Sequence, residues 1–287
     1  MSIVVTGATG HLGQLVIEGL LEKVPAAEIV ALARSEEKAG ALAARGVQVR
    51  IADYDRPHTL AGAFNLGDKV LLISGTEVGK RVAQHQAVVD AARTAGVALL
   101  AYTSILHAPQ ADFMIGRDHQ ATEGSILTSG LPFVLLRNGF YTESYLSDFS
   151  AILRSGRIES NAGNGKVASA SRADFAAAAV TALTEGGHAG RAYELSGDTA
   201  WTFADLAAEI TRQSDTKVSY HAVTSEERRT ALLQAGLPEA IADLIVDIDE
   251  GIARGLVADT APDDLTRLIG RRTTPLAESV ANTLKAL

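Results

Sequence analysis

The stretch Ile3-Val4-Val5-Thr6-Gly7-Ala8-Thr9-Gly10-His11-Leu12-Gly13 constrains this chain more than any other. A short β-branched run leads straight into three glycines with two residues in each gap. Apolar residues then recur at Leu12, Val16 and Leu20, the spacing of a helix face. In a strand–turn–helix each glycine has its own task. Gly7 permits the tight turn, Gly10 lets backbone approach a pyrophosphate, and Gly13 lets the helix pack closely on the strand. The N–H groups of the first helical turn, which have no intrahelical acceptor, then face negative charge. Gly7, Ala8, Thr9, Gly10, His11 and Leu12 are therefore expected to hold a dinucleotide.

The rest of the first half supports a sheet around that turn. Apolar runs recur at residues 29–32, 47–51, 70–73, 99–102 and 133–136, with helical periodicity between them, as over residues 82–95. Continuously apolar strands separated by helices predict a doubly wound parallel sheet covered on both faces, an α/β fold. Ser35 before Glu36 and Glu37 reads as an N-cap, and Gly46 and Gly96 read as helix stops. After about residue 140 Ala-rich helical stretches mix with short strand candidates at 193–196 and 218–222. Pro238 and Pro275 stand like first-turn prolines. The expected division is a nucleotide-binding domain over 1–140, with later segments returning to it, and a smaller, mostly helical C-terminal lobe over 141–287 on the substrate side.

Composition narrows the class. With 47% hydrophobic and 21% charged residues the chain has material for a large core, which excludes disorder as its main state. A net charge of -8 leaves no basic surplus for nucleic acid. The absence of cysteine excludes disulfides and thiolate metal sites, and no apolar run reaches the roughly 18 residues of a membrane span. The expectation is a cytoplasmic enzyme or small-molecule sensor, monomer or homodimer, without a metal.

The second strand candidate ends in Arg34, where an NAD enzyme usually carries Asp or Glu for the ribose 2′-hydroxyl. A guanidinium clamps a 2′-phosphate through paired charge-assisted bonds, so NADP(H) is the expected cofactor. Asp53, beyond the third strand, is a candidate acceptor for the adenine amino group, or an ordinary turn residue. Ser74, Gly75 and Thr76 follow the fourth strand as a second backbone approach to the cofactor, or as a plain polar loop.

What is missing also informs. The usual Tyr-x-x-x-Lys acid pair is absent, since the residues four positions after the six tyrosines are His58, Leu106, Tyr145, Phe149, Gly197 and Thr224. The surviving readings are a reductase whose acceptor needs little acid help and a redox sensor that binds NADP(H) without turnover. A quinone, or a triarylmethane dye cation, fits the first. Hydride addition yields a delocalised phenolate from the quinone and a neutral product from the dye, so proximity and orientation supply much of the rate.

Further motifs carry a resemblance that spans nearly the whole chain. They are Ala52-Asp53-Tyr54, Leu71-Leu72-Ile73-Ser74, Ala101-Tyr102-Thr103-Ser104, His119-Gln120-Ala121-Thr122-Glu123, Leu136-Arg137-Asn138-Gly139-Phe140-Tyr141, Ala168-Ser169-Ala170-Ser171-Arg172-Ala173-Asp174 and Tyr193-Glu194-Leu195-Ser196-Gly197. With the glycine turn, they resemble the atypical short-chain dehydrogenases of the NmrA-like group, which have an NAD(P)-binding Rossmann fold. The resemblance implies that the glycine turn binds the pyrophosphate side and Arg34 the 2′-phosphate. It implies that Ser74, Gly75 and Thr76 line the cofactor's middle and that Asn138, Gly139, Phe140, Tyr141, Thr142 and Glu143 sit near the nicotinamide. Phe140, Tyr141 and Tyr145 are candidate walls for a flat aromatic acceptor, with core packing as the alternative. His119 and Glu123, four apart on one helix face, are candidate catalytic helpers, with solvated or helix-pairing roles as the alternative. His85 and His107 read as structural or exposed histidines.

Overall fold

The computed structural model describes residues 1–287, which divide into two compact units. The elements in chain order are β1 Ile3–Val5, α1 His11–Leu21, β2 Ile29–Ala33, α2 Glu36–Ala43, β3 Gln48–Ile51, β4 Lys69–Leu72, α3 Arg81–Ala95, β5 Leu99–Ile105, α4 Met114–Thr128 and β6 Phe133–Asn138. They continue with α5 Phe149–Ser155, β7 Arg157–Ser160, β8 Lys166–Val167, α6 Arg172–Thr184, β9 Arg191–Leu195, β10 Trp201–Thr202, α7 Phe203–Gln213 and β11 Ser219–Ala222. Four helices close the chain: α8 Ser225–Gln234, α9 Glu239–Ala253, α10 Asp264–Ile269 and α11 Leu276–Lys285.

The first unit comprises Met1–Pro109, Asp118–Asn138 and Arg172–Glu194. Its seven-stranded sheet runs β3-β2-β1-β4-β5-β6-β9, and β1 to β6 pair in parallel. Strand order reverses between β1 and β4, the place where such sheets leave a crevice at their carboxyl ends. One face buries Val4, Val30, Leu32, Val70, Leu72, Leu100 and Tyr102 with Val88, Val89 and Ala92 of α3 and Ile126 of α4. On the other, α1 packs against α6, which also meets β4, β5 and β6. A Cβ on Gly19 of α1 would stand 3.0 Å from Val180 Cγ2, so glycine there sets the closeness of that helix pair. The doubly wound α/β fold is thus observed. Ser35 caps α2 by accepting from the Lys38 N–H, a contact typically worth about 1 kcal/mol. Gly96 ends α3 in a left-handed conformation.

The second unit comprises Gln110–Arg117, Gly139–Ser171 and Leu195–Leu287. It is mostly helical, with β7 and β11 forming one parallel pair and β8 and β10 one antiparallel pair. Its core gathers Phe149, Ile158, Val167, Trp201, Phe203, Leu206, Ile210, Ile252 and Val280. Pro238 and Pro275 sit one position earlier than the sequence suggested, as the N-cap residues of α9 and α11. Their extended ψ angles, 145° and 152°, place them outside the helix, where a missing N–H costs nothing. No helix is long and apolar enough to cross a membrane.

Candidate cofactor site

The turn after β1 and the loop after β4 meet at the reversal of strand order. The Ile73 N–H donates to Thr6 Oγ1 over 3.0 Å, and the Thr6 N–H donates to the Leu71 carbonyl over 3.0 Å. The Tyr54 hydroxyl donates to Thr6 Oγ1 and approaches the Ile73 carbonyl at 3.3 Å. Burial pushes the Tyr54 phenol well above its ordinary range, so it stays protonated as a fixed donor beneath the turn. Thr6 and Tyr54 carry the turn, and sequence reading assigned neither of them this role.

Gly7 has φ +59°, a conformation that requires glycine, and its carbonyl accepts from the Gly10 N–H at 2.9 Å. Gly10 is the extended N-cap of α1 and offers no side chain to its first turn. The N–H groups there are left for a ligand. Gly13 acts differently from the expectation. A Cβ on it would lie 2.3 Å from the Gly7 carbonyl oxygen and 2.7 Å from Ala8 Cα. What it permits is contact between the helix and the turn itself rather than the strand behind it. A bare helix N-terminus, a turn kept free of side chains by its glycines and a fixed floor fit a pyrophosphate.

Arg34 and Asp53 follow the ends of the paired strands β2 and β3, which match Ala33 with Ile51. Arg34 is exposed and makes no ion pair within the protein. The Asp53 carboxylate accepts from the Asp55 N–H at 3.1 Å and lies 3.4 Å from Arg56 Nε, so it shapes its own turn.

Beneath the loop after β4 lies a buried polar layer. The Ser74 N–H donates to Thr103 Oγ1 at 2.9 Å, and the Gly75 N–H donates to His85 Nε2 at 2.9 Å. Arg81 Nε donates to the Gly75 carbonyl at 2.7 Å, and its Nη1 lies 3.0 Å from Asp118 Oδ2. His119 Nδ1 and the Tyr102 hydroxyl share a hydrogen bond of 2.7 Å. Burial first, and the Arg81 charge second, pull His85 and His119 down to about 3, so both are neutral. The signal in the sequence was Arg81, Gln84 and His85 preceding Val88 and Ala92 on one helical stripe, polar residues in core-facing positions.

Glu123 lies elsewhere in the unit. Arg137 holds its carboxylate through two bonds, Nε to Oε1 at 3.0 Å and Nη2 to Oε2 at 2.8 Å, and Ser104 Oγ donates to Oε1 at 2.6 Å. Arg137 Nη1 also reaches Glu194 Oε1 at 2.7 Å. Glu194 Oε2 accepts from the His107 N–H at 2.7 Å, which steadies His107 at φ +53°. His119 and Glu123 thus have separate partners.

Asn138 ends β6, where its carbonyl accepts from the Leu106 N–H at 2.9 Å. Gly139 and the residues after it belong to the second unit. Gly139 N–H donates to the Leu195 carbonyl at 2.7 Å, and a Cβ there would come within 3.1 Å of that oxygen. Tyr141 bridges Ala170, the Thr142 N–H donates to the Ala170 carbonyl, and Thr142 Oγ1 lies 2.8 Å from Ser169 Oγ. Glu143 follows, half-buried. Phe140 and Tyr145 join an aromatic cluster. Their rings lie 6.5 Å apart, and Tyr145 meets Trp201 edge-on at 5.1 Å and Phe203 at 5.7 Å. The Tyr145 hydroxyl is buried without a hydrogen bond. A separate cleft of about 510 Å³ is lined by Asp112, Phe113, Arg117, Asp247, Glu250 and Arg254, a charged lining rather than a flat apolar one.

A parallel sheet with a glycine turn and an open helix N-terminus at its strand-order reversal defines a dinucleotide-binding α/β protein. A family model described as NAD(P)H-binding matches residues 7–186, and the chain belongs to that family. It is 47% identical over 280 residues to quinone oxidoreductase 2 of Escherichia coli (strain K12), covering 98% of each chain. The structure of the Escherichia coli NADPH-dependent quinone oxidoreductase complexed with NADPH superposes with a TM-score of 0.95, covering 98% of this chain and 99% of that one. That of Citrobacter sp. triphenylmethane reductase superposes with a TM-score of 0.94 at 43% identity, covering 99% of this chain and 100% of that one.

Proposed function

We propose that this protein is an NADPH-dependent reductase whose acceptor is a quinone. The observation that carries this reading is the state of the two candidate proton donors. Glu123 is locked by Arg137 and Ser104, and His119 is buried, neutral and bonded to Tyr102. Neither group is poised to protonate an oxygen during hydride addition. An acceptor whose reduced form is a delocalised phenolate suits such a site, because its protonation can follow from water. The 47% identity to a quinone oxidoreductase over the full chain supports the same class.

Bound NADPH supplies the hydride. Gly7, Ala8, Thr9, Gly10, His11 and Leu12 hold the pyrophosphate with backbone N–H groups, and Arg34 takes the 2′-phosphate with its unpaired guanidinium. Asp53 borders the adenine end, and Ser74, Gly75 and Thr76 line the middle. Asn138, Gly139, Phe140, Tyr141, Thr142 and Glu143 border the nicotinamide end. Phe140, Tyr141 and Tyr145 give the acceptor an aromatic wall. In this reading residues 1–140, with later returning segments, bind the cofactor and residues 141–287 serve the acceptor. A triarylmethane cation is a second acceptor class, favoured by the 43% identity to triphenylmethane reductase.

The test is a stopped-flow comparison of NADPH and NADH oxidation against a panel of quinones and one triarylmethane dye. Quinone-dependent oxidation of NADPH above its background rate is expected. Binding of both NADPH and NADP⁺ with no acceptor-dependent oxidation would make the protein a redox sensor instead.

A further inference from the structure

The Gly75 peptide groups are closed into a ring of hydrogen bonds that runs through three elements. Gly75 N–H donates to His85 Nε2 at 2.9 Å, and His85 Nδ1 lies 2.9 Å from Thr122 Oγ1. Thr122 Oγ1 donates to the Asp118 carbonyl at 2.9 Å, and the Asp118 carboxylate pairs with Arg81 at 3.0 Å. Arg81 Nε returns to the Gly75 carbonyl at 2.7 Å. Donors and acceptors match around the circuit in one way only. The Gly75 N–H makes Nε2 an acceptor, so the neutral ring carries its proton on Nδ1 and donates to Thr122. The Thr122 hydroxyl proton is then free for the Asp118 carbonyl.

We infer that this ring is the positioning device of the cofactor loop, with His85 and Thr122 as positioning residues that fix the orientation of Gly75. The inference rests on the reading that Ser74, Gly75 and Thr76 face the dinucleotide. Three observations argue for it. Gly75 lies in a segment without regular secondary structure, where a glycine would ordinarily be loose, yet side chains of α3 hold its N–H and its carbonyl. A Cβ at Gly75 would stand 2.8 Å from Gln84 Oε1, so the loop lies tight on α3. Arg81, His85 and Thr122 are buried, the costly place for polar groups unless a function or a closed network keeps them. The neighbouring turn after β1 is anchored to Ile73, two residues from Gly75, so an error in the loop is felt where the pyrophosphate is held.

Two measurements test it. The first needs no cofactor: ¹⁵N-imidazole NMR of the wild-type protein should show His85 as the Nδ1–H tautomer, without titration between pH 5 and 8. The groups facing the ring are Arg81 from α3, Tyr102 from β5, and Asp118 and His119 from α4. An Nε2–H tautomer, or a titrating His85, overturns the inference. The second is calorimetric binding of NADPH to Thr122→Val and Thr122→Ser, well below their melting temperatures. The isosteric valine breaks the ring away from Gly75 and should weaken NADPH binding about tenfold, whereas serine should stay within about threefold of wild type. A wild type that binds while valine binds equally well overturns this inference alone. A wild type that binds no NADPH overturns the functional reading and the inference with it. If Thr122→Val fails to fold, the tautomer measurement decides.

Discussion

The polar layer under the first unit's loops and the aromatic cluster of the second unit solve burial in opposite ways. In the first, Tyr102, His85, His119, Arg81 and Asp118 are buried or partly buried, and each has a partner within 3.0 Å. In the second, the Tyr145 ring packs edge-on against both Trp201 and Phe203, and its hydroxyl has no partner. A satisfied buried network specifies one arrangement, because any shift strands a polar atom. Ring-on-ring packing is less directional, and a shift there loses little more than contact area. The first arrangement is rigid and the second more adaptable.

The largest expected effect tests the satisfied side. Arg137→Ala would leave Glu123 and Glu194 facing each other without their shared cation. Glu123 is buried while Arg137 and Glu194 are partly exposed, so the loss should fall at the low end of the buried-pair range, about 3 kcal/mol, read from urea denaturation. A loss under about 1 kcal/mol would place the pair among solvent-screened ones and weaken the contrast.

Acid should act next, and on the first unit. His85 and His119 have an ordinary value of 6.5 and sit at about 3 in the fold. Above about pH 6.5 they are neutral in both folded and unfolded chains, so their environment imposes no penalty. As pH falls toward 3 only the unfolded chain takes up the protons, and stability drops by up to about 1.4 kcal/mol per pH unit for each histidine. Between pH 6.5 and 5 that is about 1.7 kcal/mol each. A flat urea midpoint over that interval would mean that both rings take up protons in the fold as readily as in the unfolded chain.

The smallest effects sharpen the comparison most. Tyr102→Phe removes the partner of His119 and should cost about 1–2 kcal/mol. Tyr145→Phe removes a buried hydroxyl that bonds nothing and should be neutral or stabilising, by up to about 1–3 kcal/mol. Equal losses in thermal denaturation would show that the two regions do not differ as described.

The fold was legible because its signals are local. Apolar runs marked β1 to β6, the glycine spacing marked the turn, and Ser35 marked a helix start. The polar layer was less legible for a physical reason. His85 read as a structural or exposed histidine, and His119 as a candidate catalytic helper sharing a helix face with Glu123. Only the meeting of α3, α4 and β5 shows that one caps Gly75 and the other bonds Tyr102. Glu123 shows the same limit, since its partners Ser104 and Arg137 lie on two different strands. The aromatic residues after β6 stood out by density in a chain with 5% aromatics, but Trp201 and Phe203, which pack on Tyr145, come from more than fifty positions away. The spacing of Gly13 is a local signal, while its closeness to the Gly7 carbonyl arises only once the turn folds back on the helix.

In the proposed site the glycine turn and Arg34 hold a phosphorylated dinucleotide. Isothermal titration of NADPH and NADH into wild-type protein and Arg34→Ala tests it most directly. NADPH should bind the wild type more tightly than NADH, and the variant should lose roughly ten- to hundredfold in NADPH affinity while NADH is little changed, the range for a charge-assisted hydrogen bond. Equal losses for both cofactors, or no binding of either to the wild type, would contradict it.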